Sequence, residues 1–68
     1  MIADRLLDVV VAELRKMSEK NRSAYVLMRE EGLSAADAAA VLGTTEEAVK
    51  QRAHRADRQI RSALSAAD

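Results

Sequence analysis

Between Lys50 and Arg61 the chain carries five cations (Lys50, Arg52, Arg55, Arg58 and Arg61) and one acid, Asp57, a local balance of 5 − 1 = +4. Gln51 and His54 lie among them. On a helix, at ~100° per residue, Lys50, Gln51, His54, Arg58 and Arg61 face away from Val49, Ala53 and Ile60. Glu47 falls on the same outer arc and Arg55 at its edge. Such side chains can donate hydrogen bonds to guanine O6 and N7, and glutamine can pair bidentately with adenine. Arg52 flanks the apolar stripe, a position suited to a phosphate or an acidic neighbour. A solvated helix surface also looks like this, so the element that carries the face must decide.

That element is read from Ser34 to Arg61. Ser34 can cap a short helix, with Asp37 three residues on in a capping-box arrangement. Gly43 then ends that helix. Thr44 and Thr45 both qualify as caps for the next one, with Glu46 and Glu47 in its first turn. A helix-turn-helix needs a small residue where its helices cross and a turn residue tolerant of positive φ. It also needs an apolar anchor facing back from the second helix. Ala39, Gly43 and Val49 meet these needs.

The rest of the chain supplies the frame. Proline is absent and glycine occurs twice, while good helix formers dominate the 68 residues. The expectation is an all-α fold: a four-helix domain with a helix-turn-helix and no sheet, one domain over residues 1–68. The helices are placed at about 3–16, 19–31, 35–42 and 45–65. Leu6, Val10, Leu14 and Met17 form a buried stripe on the first, widened by Leu7 and Val11. Ser18 caps the second, which buries Ala24, Tyr25, Leu27 and Met28, and Gly32 ends it. Ala38, Ala39, Val41 and Leu42 give the third a small-residue inner face. Val49, Ala53, Ala56, Ile60 and Leu64 form the stripe of the fourth, and the tail from Ser65 to Asp68 is expected to fray.

Composition removes several classes of function. With no cysteine and a single histidine, neither a disulfide framework nor a metal site is expected, and no cofactor. No apolar run approaches the ~20 residues of a membrane helix, and no signal pattern opens the chain, so a cytoplasmic protein is expected. No paired carboxylates, nucleophile–base pair or phosphate loop points to an enzyme. Tyr25 is the one aromatic residue, too few for a base-stacking platform. Net charge is zero, so the +4 of residues 50–61 leaves −4 on the remainder, a polarity able to orient the molecule on DNA.

At these residues a family resemblance enters. The chain resembles region 4 of sigma-70-type transcription initiation factors, the extracytoplasmic-function group in particular, from about Met17 to Leu64. Met17-Ser18-Glu19-Lys20-Asn21-Arg22 stands where that family has a Leu-Pro-x-x-x-Arg entry. Glu31-Gly32-Leu33-Ser34 is similar to its Glu-Gly-Leu-Ser connector, and Ala39 with Val41-Leu42-Gly43 to the end of its first helix-turn-helix element. Ala48-Val49-Lys50-Gln51-Arg52-Ala53-His54-Arg55-Ala56 resembles its Thr-Val-Lys-Ser-Arg-Leu-His-Arg-Ala recognition segment, the most specific of these matches.

The resemblance implies a domain that binds the promoter −35 element in the major groove of double-stranded DNA. It also implies docking on the β flap of RNA polymerase and, often, sequestration by an anti-sigma factor. It assigns base contacts to Lys50, Gln51, His54 and Arg55. Phosphate contacts fall to Ser34 and Ala35, and to Thr44, Thr45, Arg52 and Arg58 at the start and flanks of the recognition helix. Ser18 stands in place of a common proline, Ala35 of a frequent aromatic, Ala53 of a bulkier core residue and Asp57 of a frequent base. Glu46 and Glu47 place acid near DNA, to repel phosphate or to accept from cytosine. Nothing resembles the region 2 that such factors also carry. The expectation is therefore an excised domain or a lone region-4-like protein, binding promoters weakly without its second anchor.

Two rival readings remain. LuxR-type DNA-binding domains share the Gly-Leu-Ser connector, but their recognition helix has a histidine two residues after its lysine; here that position is Arg52. A protein-interaction module that binds the polymerase or a regulator, without strong DNA binding of its own, would suit the zero net charge and the acids at Glu46 and Glu47.

Overall fold

A computed structural model describes the backbone of residues 2–67 and the side chains of residues 5–66; Met1 and Asp68 lie outside the described residues. The architecture is all-α, with no strand among the described residues. Helix α1 spans Ile2–Lys16, α2 Glu19–Tyr25, α3 Ala35–Leu42 and α4 Glu46–Ala67. The last helix remains helical through Ala67, beyond the expected end at residue 65.

The caps follow the side chains that can make them. Ser18 Oγ accepts from the Asn21 N–H at 3.2 Å, and Ser34 Oγ from the Asp37 N–H at 3.1 Å. Of the two candidate caps for α4, Thr45 is the one used: its hydroxyl accepts from the Ala48 N–H at 3.1 Å. Gly43 sits at φ 65°, ψ 40°, the left-handed conformation that a glycine adopts without a Cβ penalty. The N–H groups of Gly43 and Thr44 both reach back to the Ala39 carbonyl, so the turn closes on α3 itself.

The expected second helix, 19–31, changes pitch partway. After Tyr25 the chain runs as a π-helical stretch, Val26–Glu30. The Glu31 N–H bonds the Val26 carbonyl at 3.0 Å and the Leu33 N–H bonds that of Leu27 at 2.9 Å, across Gly32 at φ 74°. The wider turn lets Tyr25 pack toward α1 and the C-terminal half of α4, while Leu27 and Met28 pack on the helix-turn-helix. Apolar spacing does not reveal such a bulge, because one extra residue per turn leaves the residue types unchanged.

The core has two parts, and α4 belongs to both. Val49 and Ala53 join Ala24, Ala38 and Ala39, with Leu27, Met28, Leu33 and Leu42 packed around them. Ala56 and Ile60 join Met17, with Val10, Leu14, Tyr25 and Leu64 around them. Ala24, Ala38, Val49 and Ala56 are wholly buried. Methyl side chains at three of these four positions let helix axes approach closely, and they leave little room for anything larger.

Two expectations fail here. Leu6, Leu7 and Val11 do not join the stripe of α1: Leu6 and Leu7 are more than half exposed and Val11 is also exposed. Of the described apolar side chains of α1, Val10, Leu14 and Met17 join the cluster with α4, because α1 lies along α4 rather than inside an enclosing core. Val41, placed on the inner face of α3, points outward and is 65% exposed. On an eight-residue helix, Ala38 and Ala39 already fill the contact.

Polar bonds hold α1 and the π-helical stretch in place. Arg22 Nη1 donates to the Leu14 carbonyl at 3.2 Å, serving an end group of α1. Gln59 Nε2 donates to Glu13 Oε1 at 3.1 Å, and Lys16 lies 3.3 Å from Glu13 Oε2. Asp57 on α4 meets Arg61 at 3.0 Å and Arg29 of the π-helical stretch at 3.7 Å. The hydrogen bond from Gln59, then that from Lys16, holds the Glu13 carboxyl below the usual carboxylate range.

Val49→Asp puts an unpaired charge where no water reaches. It should cost at least about 3 kcal/mol, a large part of what so small a chain has to lose. Thermal melting by circular dichroism should show no cooperative transition; a wild-type-like melt would remove Val49 from the core.

Glu13 gives a pH dependence of fixed sign. Its folded-state pKa is depressed, so the ionised group stabilises the fold above its unfolded value, and this is lost as pH falls through the folded value. Glu13→Gln should therefore melt below wild type near neutrality, and the gap should close in acid. A gap that persisted unchanged in acid would assign the loss to something other than the carboxylate.

Candidate nucleic-acid interface

Helix α4 divides sharply into a buried and an exposed side. Val49, Ala53, Ala56 and Ile60 are buried, while Lys50, Gln51, His54, Arg55 and Arg58 are all exposed. The five side chains therefore share one helix and point away from the core that fixes it. An α-helix with side chains is about 10–12 Å across and the DNA major groove about 12 Å wide, so this face has the dimensions to enter the groove.

The charges on that face are not equally available. Lys50 Nζ lies 3.5 Å from Glu46 Oε1 one turn earlier, in a pair about half exposed on both sides. Arg61 is held by Asp57. Arg55 and Arg58 have no carboxylate within ion-pair distance among the described residues. Two of the five cations of residues 50–61 are thus tied to acids on their own helix. Exposed i, i+4 pairs are weak, about 0.3–0.5 kcal/mol, and open readily to a better acceptor.

The residues expected at phosphates fall into three settings. Ser34 is exposed, but its hydroxyl oxygen already accepts from Asp37, which leaves its O–H to donate. Ala35, the first residue of α3, has its methyl buried, so this residue could meet a phosphate only through its main-chain N–H in the first turn. Thr45 is exposed and spends its oxygen on the cap; Thr44 is half-buried. Arg52 is half-buried and lines a cavity of about 340 Å³ with Glu19, Lys20, Ser23, Gly43 and Thr44.

Sequence reasoning missed several participants. Lys20 joins Arg52 at this cavity only through the fold, since the two are far apart along the chain. Arg29 reaches Asp57 through the π-helical stretch. An apolar groove of about 340 Å³ runs between α2 and α3, lined by Arg22, Ser23, Val26, Leu27, Val41 and Leu42. The outward-pointing Val41 forms one side of it, which the apolar spacing of α3 could not show.

Among the described residues no three His, Cys, Asp or Glu side chains gather as a metal site, and no helix is long and apolar enough to cross a membrane. No curated protein and no solved structure matches the chain. One family model does match: the one described as Sigma-70, region 4 covers residues 7–65. It begins in α1, earlier than the resemblance from Met17, and it spans both helices of the helix-turn-helix. It also decides against the LuxR-type alternative. With the capped turn, the left-handed Gly43 and the two-sided α4 in place, the chain belongs to the sigma-70 region 4 family, the promoter-recognition domains of sigma factors.

Proposed function

We propose that this chain recognises a promoter −35 element by laying α4 in the major groove, as part of a sigma factor of the extracytoplasmic-function group. The observation that carries this reading is the unbroken exposed face Lys50, Gln51, His54, Arg55 and Arg58, backed by a buried stripe that fixes its direction. Lys50, Gln51, His54 and Arg55 are the base-reading residues. Arg55 and Lys50 suit guanine, and Gln51 suits adenine. Ser34, the Ala35 N–H, Thr44, Thr45, Arg52 and Arg58 take phosphates, which set register rather than sequence.

Glu46 has a defined part in this reading. It holds Lys50 in the free protein and must release it when Lys50 turns to a base. A duplex without the matching base offers Lys50 only a phosphate in exchange for Glu46, one charged acceptor for another, so the pair reduces what indiscriminate binding gains from Lys50.

Docking on the β flap of RNA polymerase, with an anti-sigma factor as competitor, belongs to the same proposal. Its support is the apolar surface that the fold leaves open: Val41 beside the groove of Val26 and Leu27, and Leu6, Leu7 and Val11 on α1. Exposed apolar clusters of this kind suit a protein partner, and none of them lies on the polar face of α4. The same surfaces would serve an interaction module that binds polymerase without strong DNA binding. The acids at the start of α4 favour that second reading, and DNA affinity separates the two.

Lys50→Ala and Arg55→Ala should each weaken binding to a cognate duplex by about 1–3 kcal/mol and leave binding to a scrambled duplex much less affected. Fluorescence anisotropy on both duplexes at matched salt measures the difference. Equal losses on the two would reduce these residues to phosphate contacts. No binding to either duplex by the unsubstituted chain would favour the interaction module.

A further inference from the structure

We propose that the cavity between the start of α2 and the α3–α4 turn is an anion site that holds one DNA backbone phosphate, with Lys20 and Arg52 as its charges. The inference rests on the reading of α4 as a groove-binding helix and extends the contact surface to α2.

Arg52 is half-buried in the cavity wall, and among the described residues no carboxylate lies within ion-pair distance of it. A guanidinium partly withdrawn from water is short of counter-charge, and its planar fork of donors matches two phosphate oxygens. Lys20 lines the same cavity from α2, and the Ser23 and Thr44 hydroxyls add neutral donors. Glu19 is the one acid in the lining, so the charges sum to 2 − 1 = +1. That balance fits a phosphodiester with its single negative charge, and fits a free phosphate dianion less well.

Position supports the same choice. At ~100° per residue, Arg52 lies ~60° around α4 from Arg55. The cavity therefore flanks the base-reading arc on its Arg55 side, and Thr44 in its wall directly precedes the cap of α4. A helix seated in the major groove has a row of phosphates along each rim, and the flank of the helix meets one rim. The cavity lies on that flank. Lys20 would then add a contact from outside the helix-turn-helix, at a residue that no spacing rule on α4 could identify.

The test measures duplex affinity against salt for the whole chain and for Lys20→Gln, Glu19→Gln and Lys50→Ala. Lys20 is exposed, so its substitution leaves the core intact. Lys20→Gln should flatten the plot of log affinity against log salt by about one phosphate contact, ~0.9 in slope, equally on cognate and scrambled duplexes. Glu19→Gln should raise affinity on both. Unchanged slope and affinity in these two variants, with Lys50→Ala still losing cognate binding, would overturn the site and leave the reading of α4 standing. Loss of cognate binding in no variant, with the unsubstituted chain failing to bind any duplex, would overturn both. A parallel NMR titration with inorganic phosphate follows the Lys20 and Arg52 side chains. Shifts there without any change of slope in Lys20→Gln would mark a site for free anions and overturn the phosphodiester assignment.

Discussion

Everything in this molecule depends on the packing of α4 through very small side chains. Val49 and Ala53 press on Ala24, Ala38 and Ala39; Ala56 and Ile60 press on Met17 and its neighbours. The stripe has only one large side chain wholly withdrawn from water, Val49. Close approach therefore has to replace bulk, and dispersion contacts between closely spaced helices supply what a larger core would gain by area. An alanine-lined seam is intolerant by nature, since it has no room for an added methylene. It also fixes the rotation of α4 about its own axis. That rotation determines which residues face outward.

The two halves of the stripe divide the labour. The N-terminal half joins α4 to α2 through Ala24 and to α3 through Ala38 and Ala39, and so sets the helix-turn-helix angle. The C-terminal half joins α4 to α1, which contributes Val10, Leu14 and Met17. The polar links lie at the edges of the same contacts: Gln59 to Glu13 on one side, and Asp57 to Arg29 and Arg61 on the other. Asp57 is instructive. In the sequence it interrupts a basic run; in the fold it faces two arginines and ties the π-helical stretch to α4. Its charge is spent on structure, and the part of the face from Lys50 to Arg58 keeps its positive character.

Legibility in the sequence followed the range of the physics. Caps and turns are local, so Ser18, Ser34, Gly32 and Gly43 were readable from residue type. The choice between Thr44 and Thr45 needed geometry, because either hydroxyl could reach the open N–H groups. The stripe of α4 was readable because that helix is covered from Val49 to Ile60. The stripe of α1 was overread: Leu6, Leu7 and Val11 have the right period, but period records which face is apolar and not whether anything covers it. Val41 misled for the same reason. The outward face of α4 emerged from the wheel alone, whereas the pairing of Lys20 with Arg52 depends on how α2 crosses the turn. No arrangement of residue types within one helix encodes that crossing.

A net charge of zero is compatible with a DNA-binding helix once the pairings are counted. Of the cations between Lys50 and Arg61, Lys50 is tied to Glu46 and Arg61 to Asp57, while Arg52 turns into the cavity. Arg55 and Arg58 remain as the exposed cations of that run with no acid within ion-pair distance among the described residues. Non-specific affinity grows with the number of phosphates neutralised, so on the proposed reading so short a set of free charges would keep it low. Specific affinity comes from base edges that only a matching site presents. Opening the Glu46–Lys50 pair costs little, and a guanine placed in register beneath Lys50 would compensate, whereas an unmatched site leaves it only a phosphate. On the proposed reading of α4, the acids that lower the total charge would widen the gap between right and wrong DNA, and discrimination depends on that gap more than on the strength of either complex.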